Sequence, residues 1–567
     1  MTAPDASPAS DSRLGQAWAE LTAPGAAFEV GTISVQGRPT RCFIHAPATL
    51  GDVWATTRDL GERDYLVFGT ERVTYRQAHA ITNAVGAWLT ARGVSSGDRV
   101  AIAMRNYPEW MLIYWACMSI GAVVVGLNAW WVSGELAGAL DDAGPKAIFC
   151  DAERLARIAD WRTAHRDCIV VVRADAPPDT TPWSHVIATN DMPVPVAIDG
   201  DADACIFYTS GTTGQSKGAR LSHRGCTNNL MGIGFGVEVH RLAAGRGLQA
   251  SAETLPVALV TTPLFHVTAN NCLAHPVTAA GGTLVLMYKW DAGEALRLIE
   301  AERVTTMSGV PIMVRELIGH PDARARDLSS LASLAGGGAP IPPDLVAKVD
   351  DWDRAVGLGT GFGMTEASGS ITLIAGNVFA ARPESCGRPL PTFDVKIIND
   401  AGQKLASGRT GELCVRGAGV IAGYLNRPVE TAAAIVDGWL RTGDIARLDE
   451  QGFVFIVDRK KDMILRGGEN VYCAEVEAAL FRHPDVIEVC AFSVPDTRLG
   501  EEVGVAVVLR PGSLTTADAL RAHAVEFLAR YKTPRYLWRM DGPLPRNAGG
   551  KLLRPALRAS LRLADAS

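Results

Sequence analysis

One uncharged stretch limits the fold more than any other feature of this chain. Residues 110–134 contain no charged side chain and are numerous enough to cross a bilayer. Pro108 and Glu109 are typical of a helix start, and Gly121 is typical of a helix end. Residues 122–126 then form an apolar run that predicts a buried strand. Because a helix and strand covered on both faces need no charge, we interpret the stretch as core and predict a soluble protein.

Apolar strand patterns alternate with amphipathic helix patterns along most of the chain. Residues 98–104, 146–152 and 282–287 have the pattern of buried strands, and the alternation predicts α/β layers with parallel sheets. After about residue 383, short two-sided strand patterns separated by Gly and Asp turns predict a small β unit. The last hundred or so residues return to mixed α and β, with a helix expected from about Ala474 to Phe481.

The length of 567 residues predicts two or more domains. Residues 1–30 begin with a Pro-, Ala- and Ser-rich stretch and are expected to be a disordered leader without a signal peptide. Residues 458–462 hold three basic and two acidic side chains, and Gly467 and Gly468 follow shortly after. Such a stretch is either a solvated loop or a hinge between domains.

Charge and cysteine content exclude several classes of protein. A formal net charge of −6 gives no electrostatic reason to bind nucleic acid. Eleven cysteines are scattered without a C-x-x-C pair, which indicates neither a disulfide framework nor a zinc site. We therefore expect a reducing compartment and a cytoplasmic protein without nucleic-acid partners.

The segment YTSGTTGQSKGA, residues 208–219, combines glycines, small hydroxyl side chains and Lys217 after an apolar strand pattern. It fits neither the Walker A pattern nor the G-x-G-x-x-G dinucleotide pattern. Glycines let backbone N–H groups converge on an anion, and hydroxyls add donors without bulk. The alternatives from the residues alone are a phosphate-binding loop and an ordinary surface turn.

Six further motifs follow in order, and together with this loop they resemble the adenylate-forming superfamily. That family contains acyl-CoA synthetases, beetle luciferases and the adenylation domains of peptide synthetases. The motifs are PLFHV (263–267), GGGAP (336–340), GFGMTE (361–366), WLRTGD (439–444), DRKKDMILRGGENV (458–471) and PRNAGGKLLR (545–554).

The resemblance implies an α/β fold of defined organisation. A large N-terminal domain, expected over residues 31–460, would contain two layered αβ subdomains and a small β-barrel-like subdomain. A smaller, mobile α+β lid domain would occupy residues 461–567. The implied reaction activates a carboxylic acid with ATP and Mg²⁺ as an acyl-adenylate, and a thiol then displaces AMP.

The resemblance also assigns the phosphate and metal positions. The β- and γ-phosphates of ATP would be held by the loop, whose assigned residues are Thr209, Ser210, Gly211, Thr212, Thr213, Gly214 and Lys217. Glu366 would bind Mg²⁺ with Thr212 or Thr213 on the phosphate side, which suits a hard cation with oxygen ligands. Glu366 and Thr209 are also predicted as catalytic residues.

Nucleoside contacts follow from three other motifs. The adenine would lie between two segments, whose assigned residues are Gly337, Gly338, Ala339 and Pro340 on one side and Gly361, Phe362, Gly363, Met364 and Thr365 on the other. Asp444 would accept both ribose hydroxyls, with Arg459 nearby, because a carboxylate offers two acceptor oxygens to a diol. Phe362 stands where relatives often have tyrosine, and it keeps the stacking face.

The resemblance implies that the lid domain takes part in both steps of the reaction. Lys551 would reach the α-phosphate and the attacking carboxylate during adenylation. Lys461 occupies the position of a hinge about which the lid rotates between the two steps. Gly467, Gly468 and Glu469 would then face the pantetheine tunnel, and His266 would act as a gate between the acyl pocket and that tunnel.

The region after PLFHV indicates which class of carboxylic acid the protein accepts. Residues 264–290 contain no Asp or Glu, which disfavours an amino-acid substrate because a buried unpaired ammonium is costly. The residues expected to line the pocket are mostly apolar and small: His266, Val267, Asn270, Gly309, Val310, Gly337 and Met364. This lining favours a medium- or long-chain fatty acid, and aryl and branched acids remain alternatives.

The thiol acceptor is expected to be coenzyme A, because no carrier domain follows the Lys551 motif. A separate acyl carrier protein and a luciferase-like oxidation of the adenylate are the alternatives, and a homodimer is compatible with the resemblance. A kinase or P-loop ATPase is disfavoured by the missing Walker A loop. A non-catalytic binding protein is disfavoured because Lys551, Glu366 and Asp444 are all present.

Overall fold

A computed structural model describes residues 8–35, 37–164, 169–209, 216–245, 255–337, 341, 343–352, 356–467, 469–547, 550 and 552–567. The α-helices are α1 (Pro8–Leu21), α2 (Leu50–Ala55), α3 (Tyr75–Ala91), α4 (Pro108–Ile120), α5 (Ser133–Ala143), α6 (Ala152–Arg157), α7 (Trp183–Val186), α8 (His223–Ala243), α9 (Val267–Ala269), α10 (His275–Ala279), α11 (Ala292–Ala301), α12 (Pro311–Gly319), α13 (Pro343–Trp352), α14 (Gly376–Ala380), α15 (Pro428–Ala434), α16 (Cys473–Phe481), α17 (Ala517–Val525) and α18 (Arg554–Ser560). A π-helical turn, Asn270–Ala274, joins α9 to α10.

The strands in chain order are β1 (Val30–Val35), β2 (Arg38–Phe43), β3 (Asp64–Phe68), β4 (Glu71–Thr74), β5 (Arg99–Ala103), β6 (Val123–Gly126), β7 (Ala147–Asp151), β8 (Ile169–Val172), β9 (Thr181–Pro182), β10 (Asp203–Thr209), β11 (Lys217–Ser222), β12 (Val257–Val260), β13 (Thr283–Leu286), β14 (Thr306–Gly309), β15 (Ser333–Gly336), β16 (Gly357–Thr360), β17 (Gly363–Met364), β18 (Gly369–Ser370), β19 (Thr372–Ala375), β20 (Arg388–Pro389), β21 (Phe393–Ile398), β22 (Gly411–Gly417), β23 (Gly423–Tyr424), β24 (Ile435–Val436), β25 (Trp439–Leu448), β26 (Val454–Arg459), β27 (Ile464–Arg466), β28 (Glu469–Val471), β29 (Val486–Asp496), β30 (Gly500–Leu509) and β31 (Tyr536–Met540).

Two large sheets form the N-terminal part. The eight-stranded sheet has the order β23-β11-β10-β6-β5-β7-β8-β9, and its strands from β10 to β9 are parallel. The nine-stranded sheet has the order β20-β19-β16-β15-β14-β12-β13-β3-β4, and its strands from β16 to β3 are parallel. This arrangement confirms the predicted α/β layers.

Helix α4 packs between these two sheets. It runs from Pro108 to Ile120 and ends at Gly121, whose φ of 71° is in the left-handed region that glycine tolerates. All its side chains except Ser119 are buried, and it contacts β3 of one sheet and β5 and β6 of the other. Helix α4 and strand β6 of the uncharged stretch are therefore core, as predicted. Within the parts of the chain that the structure describes, no helix combines the length and apolarity needed to span a bilayer.

Two five-stranded sheets and two two-stranded sheets, β1 with β2 and β17 with β18, account for the other described strands. Strands β21, β22, β24, β25 and β26 form a five-stranded antiparallel sheet, which confirms the small β unit predicted after about residue 383. Strands β27 to β31 form a second sheet, on which α16, α17 and α18 pack with their own apolar clusters. The segment between Arg459 and Ile464 joins the two sheets.

The prediction of a disordered leader over residues 1–30 is wrong for the described part of that segment. Helix α1 buries Leu14, Ala17 and Leu21, and Trp18 packs edge-on against Phe235 of α8 at 4.7 Å between ring centroids. The three buried positions recur at helical spacing, so α1 presents one apolar face to α8. The burial of this face stabilises a helix that its small, polar composition alone would not.

Candidate active site

Neighbouring strands of the nine-stranded sheet end together at one edge. Gly309, Gly336 and Thr360 are the last residues of β14, β15 and β16, and they are in register. The N–H of Gly337 donates to the Gly309 carbonyl at 2.9 Å, and the Thr360 Oγ1 donates to the Gly336 carbonyl at 2.9 Å. Because parallel strands place their carboxyl ends at one edge, three of the predicted segments lie side by side there.

The GFGMTE segment is held very close to its neighbours. The N–H of Phe362 donates to Thr372 Oγ1 at 2.9 Å, and the Phe362 carbonyl accepts from the N–H of Thr372 at 3.0 Å. A Cβ on Gly361 would lie 2.3 Å from the Thr372 carbonyl oxygen, and one on Gly363 would lie 2.3 Å from the Gly369 oxygen. Glycine is therefore required at both positions, and Phe362 between them is fixed by its backbone.

The phosphate-loop motif and the TE motif meet at a carboxylate. Strand β10 ends at Thr209, whose Oγ1 lies 3.5 Å from Glu366 Oε1. The same oxygen accepts from the Tyr424 hydroxyl at 2.9 Å, and Lys217 Nζ lies 5.3 Å from the centre of the Tyr424 ring. Glu366 is only 9% exposed. The structure thus gathers four polar groups from three separate segments.

Tyr424 was not identified by the sequence reasoning. It lies in β23, which pairs with β11 beside the predicted phosphate loop. Burial is the main cause of its raised pKa, and the negative charge of Glu366 adds to it, so the phenol stays protonated and donates. Its separation of 58 residues from Glu366 left no local signal, because the contact depends on strand pairing.

Asp444 and Arg459 face each other across β25 and β26, as partners in register. Arg459 Nε lies 2.7 Å from Asp444 Oδ1, and the Asp444 side chain is almost fully buried. The N–H of Asp444 donates to Thr442 Oγ1 at 3.1 Å. The pair therefore places one carboxylate and one guanidinium at the edge of the five-stranded sheet.

His266 is the N-cap residue of α9 and follows the end of β12 after a loop of five residues. Its carbonyl accepts from the N–H of Asn270, and its ring contacts Phe265 at 4.7 Å between centroids. Burial lowers the pKa of His266 to about 4. The imidazole is therefore neutral at physiological pH and can present a ring without carrying a charge.

The predicted acyl-pocket residues are only partly brought together. Gly337 lies beside Gly309, and a Cβ built on Gly337 would lie 3.8 Å from the methyl group of Thr268. Asn270, in contrast, is fully buried, and its amide donates to Asn271 Oδ1 at 2.9 Å. The prediction that Asn270 lines the pocket is therefore not supported, and Thr268, which the sequence analysis did not name, lies beside Gly337.

The C-terminal unit contacts the strand-end edge. A Cβ on Gly550 would lie 2.7 Å from a methyl group of Val310, the residue that follows β14. The Gly550 carbonyl accepts from Arg546 at 3.0 Å, and Arg546 also pairs with Glu488 at 2.6 Å. The chain beside Lys551 is thus packed directly against the edge that carries Gly337 and His266.

The junction at residues 458–473 contains buried charged groups. The Asp458 carboxylate accepts from the backbone N–H of Arg459 and from that of Cys473, the first residue of α16. Burial raises the pKa of Asp458 to about 6. Arg554 pairs with Glu477 at 2.7 Å and with Asp462 at 3.3 Å. Asp458 therefore links the last strand before the junction to the first helix after it.

The other predicted residues have simpler outcomes. Lys461 is exposed in a turn closed by the N–H of Asp462 donating to the Arg459 carbonyl at 2.9 Å. Gly467 and Glu469 are exposed in the hairpin of β27 and β28. The following predicted residues lie outside the described part of the chain: Ser210, Gly211, Thr212, Thr213, Gly214, Gly338, Ala339, Pro340, Gly468 and Lys551.

Comparison with known proteins agrees with this architecture. The family described as AMP-binding enzyme matches residues 53–425, and the AMP-binding enzyme C-terminal domain matches residues 475–551. A feruloyl-CoA synthase of Amycolatopsis sp is 36% identical over 491 residues, covering 86% of this chain and 94% of that protein. A long-chain-fatty-acid–CoA ligase of Bacillus subtilis (strain 168) is 31% identical over 530 residues, covering 88% and 91%.

Similarity extends to solved structures. ATP-bound MatB from Rhodopseudomonas palustris superposes with a TM-score of 0.79 at 26% identity, covering 90% of this chain and 98% of that one. The fold and the strand-end site define a two-part adenylate-forming enzyme, with a large N-terminal domain and a smaller C-terminal one. The chain belongs to the AMP-binding enzyme family, and the predicted class of acid–thiol ligase is confirmed.

Proposed function

We propose that the protein joins a carboxylic acid to coenzyme A through an acyl-adenylate, releasing AMP and pyrophosphate. The observation that carries this proposal is the meeting of Thr209, Glu366 and Lys217 around Tyr424 beside the phosphate-loop motif. The carboxylate oxygen of the acid would attack the α-phosphorus of ATP, and pyrophosphate would leave. The thiolate sulfur of coenzyme A would then attack the acyl carbon, and AMP would leave.

In this proposal the nucleoside lies across the edges of two sheets. Asp444 would accept the ribose hydroxyls, since its Oδ1 is oriented by Arg459 at 2.7 Å. Phe362 would stack on the adenine, because the contacts of Gly361 and Gly363 leave its backbone one position. Lys551 would contact the α-phosphate, and its neighbour Gly550 already packs against Val310 at this edge.

The residues present fit a magnesium ion held mainly by the nucleotide. Both hydrogen bonds described for the Glu366 carboxylate go to Oε1, from the hydroxyl groups of Thr209 and Tyr424. Among the described residues, no three His, Cys, Asp or Glu side chains group as a metal site, which suits a cation that takes one carboxylate and several phosphate oxygens. Glu366 would hold the ion, which when bound neutralises phosphate charge.

For the acid we propose a substrate without an amino group, with medium- or long-chain fatty acids as the first candidate. Residues 264–290 offer no carboxylate to an ammonium, and the neutral His266 adds no charge. Gly309 and Gly337 lie side by side, and among the described residues a Cβ on Gly337 would approach only the Thr268 methyl group, at 3.8 Å, which leaves space beside this backbone. The relative named for long-chain fatty acids supports this candidate.

An aryl acid is the second candidate, and a specific observation favours it. The relative named as a feruloyl-CoA synthase shares 36% identity, against 31% for the one named for fatty acids. The two candidates differ in the shape that the pocket must accept rather than in the chemistry at the carboxylate.

The test is ATP–pyrophosphate exchange with ferulic acid and with dodecanoic acid, followed by AMP release with coenzyme A added. We expect exchange that depends on the added acid, and AMP release that depends on both acid and thiol. Release of ADP would indicate a kinase and contradict the proposal. A higher kcat/KM for ferulic acid would replace the first candidate by the second.

A further inference from the structure

Arg105 lies where the two large sheets meet. It follows β5, while Trp130 follows β6 in the same sheet and Tyr288 follows β13 in the other sheet. The Arg105 guanidinium carbon lies 3.8 Å from the centre of the Trp130 ring and 5.2 Å from that of Tyr288. Both rings are partly exposed, at 39% and 36%. The Arg105 guanidinium is therefore held by two partly exposed aromatic rings where the two large sheets meet.

Among the described residues, the charged side chains near Arg105 form ion pairs with one another and not with Arg105. Arg173 pairs with Glu71 at 2.6 Å and with Glu109 at 2.8 Å. Arg154 pairs with Asp151 at 3.0 Å and with Glu153 at 2.8 Å. Within the described chain, the Nε of Arg105 is buried without a hydrogen-bond partner. Arg105 as a whole is partly exposed, so an anionic ligand can bind its other N–H groups and balance its charge.

Two arginine side chains hold the backbone on both sides of Trp130, the aromatic partner of Arg105. Arg154 Nε donates to the Ala129 carbonyl at 2.9 Å, and Arg157 donates to the Ala129 and Trp131 carbonyls at 3.0 and 2.8 Å. The loop that carries Trp130 is therefore fixed on both sides of the indole. Pre-organisation of this kind lowers the entropic cost of binding a ligand.

A line of ring contacts leads from Arg105 to the proposed gate. Trp130 contacts Phe265 at 5.5 Å between centroids, and Phe265 contacts His266 at 4.7 Å. Asn106, next to Arg105, donates to the Thr262 carbonyl and accepts from the N–H of Leu264, both at 2.9 Å. The cation and the His266 loop are thus parts of one rigid surface.

We propose that Arg105 binds a phosphate group of coenzyme A, while the pantetheine arm extends along the exposed side of Trp130 toward His266. The proposal rests on the function proposed above, because coenzyme A is the acceptor there. Coenzyme A carries a 3′-phosphate and a pyrophosphate at the end opposite its thiol, and a planar guanidinium suits either. The triphosphate of ATP has its own loop at the end of β10, two strands away from β5.

The experiment compares wild type with Arg105→Gln, using coenzyme A, dephospho-coenzyme A and pantetheine as acceptors. We expect the KM for coenzyme A to rise about tenfold, which is the scale of one charged hydrogen bond. The KM for pantetheine should be unchanged, because pantetheine has no phosphate. A change for coenzyme A but not for dephospho-coenzyme A assigns the 3′-phosphate, and a change for both assigns the pyrophosphate.

Arg92→Gln is the matched control, since the Arg92 guanidinium carbon also lies over an indole, at 3.9 Å from the centre of Trp88. It should leave every acceptor unaffected. Arg105→Lys keeps the charge and should recover part of the affinity. Equal loss with coenzyme A and pantetheine, or a raised KM for ATP in pyrophosphate exchange, would overturn the proposal.

Binding measured by calorimetry separates this proposal from the proposed function. Wild type should bind coenzyme A more tightly than pantetheine, and Arg105→Gln should bind both equally. If acid-dependent pyrophosphate exchange fails while this difference holds, the proposed function is wrong and the Arg105 site stands. If exchange occurs but neither protein distinguishes coenzyme A from pantetheine, the Arg105 site is wrong.

Discussion

The strand-end site and the junction at residues 458–473 hold their groups by different means. At the strand ends, neutral bonds dominate: the Asn106 amide joins the His266 loop to β5, and backbone N–H groups fix Gly337. At the junction, the Asp458 carboxyl group is buried, and Arg554 forms partly buried ion pairs with Glu477 and Asp462. Neutral bonds keep one geometry over a wide pH range, whereas buried charges are costly unless paired. We infer that the strand-end site keeps one geometry, whereas the junction can change its conformation.

The largest expected effect tests whether the C-terminal unit supplies a group to the fixed site. Lys551→Ala should lower acid-dependent pyrophosphate exchange by about 10² to 10³, the scale of losing one pre-organised stabilising group. Lys404→Ala removes an exposed lysine of the small β unit and serves as the control. If Lys551→Ala keeps pyrophosphate exchange within threefold of wild type, the C-terminal unit does not supply a catalytic group to the strand-end site.

The next effect concerns the charge at the junction. Burial raises the pKa of Asp458 from 3.8 to about 6, so the folded state favours the protonated form. Relative to Asp458→Asn, wild type should lose free energy of unfolding as pH rises from about 4 to about 6, by up to about 3 kcal/mol. Above pH 6 the difference should stay constant. Urea titrations at several pH values measure it.

Asp449→Asn is the matched control for that titration, because Asp449 Oδ1 also accepts two backbone N–H groups, from Gln451 and Phe453, in a turn. Its free energy of unfolding is measured at the same pH values, as the reference for removing a hydrogen-bonded carboxylate outside the junction. If Asp458→Asn leaves the same slope as wild type, the junction is no more sensitive to pH than the strand-end site.

A smaller effect should separate the two half-reactions. Lys461→Pro fixes φ in the turn between β26 and β27, which should hinder rotation there. We expect thioester formation to fall about tenfold while pyrophosphate exchange changes less than threefold. Lys461→Ala removes the same charge but leaves the backbone free, so it should resemble wild type. Equal losses in both half-reactions would place the moving element elsewhere.

The smallest effect is expected within the fixed site. Tyr424→Phe removes the hydroxyl that donates to Glu366 at 2.9 Å but keeps the ring beside Lys217. The KM for ATP should rise about fivefold with a smaller change in kcat, and the dependence on Mg²⁺ should shift to higher concentration. Tyr75→Phe, which loses a 2.7 Å bond to the Gly282 carbonyl, is the control for a lost buried hydroxyl.

Local patterns predicted much of the fold. The helix start at Pro108, the stop at Gly121 and the buried strands β5, β7 and β13 all follow from signals within a few residues. The seven motifs gave the family and most of the candidate site. They also placed Thr209 and Glu366 at one site, although these residues are 157 positions apart.

Long-range packing accounts for what the sequence did not reveal. Helix α1 is stabilised by Phe235, more than two hundred residues later, and so its composition alone was misleading. Tyr424 reaches Glu366 only because β23 pairs with β11. Arg105 is an ordinary charged residue in sequence, and its two aromatic neighbours come from different sheets.

Helix α4 has one further consequence. Since β3, β5 and β6 all pack on α4, whose charged residue Glu109 lies in its first turn, the two sheets share one helix and cannot slide past each other independently. Circular permutants or insertions opened within residues 108–120 should therefore separate Arg105 and Trp130 from His266. Cuts at exposed loops should be tolerated.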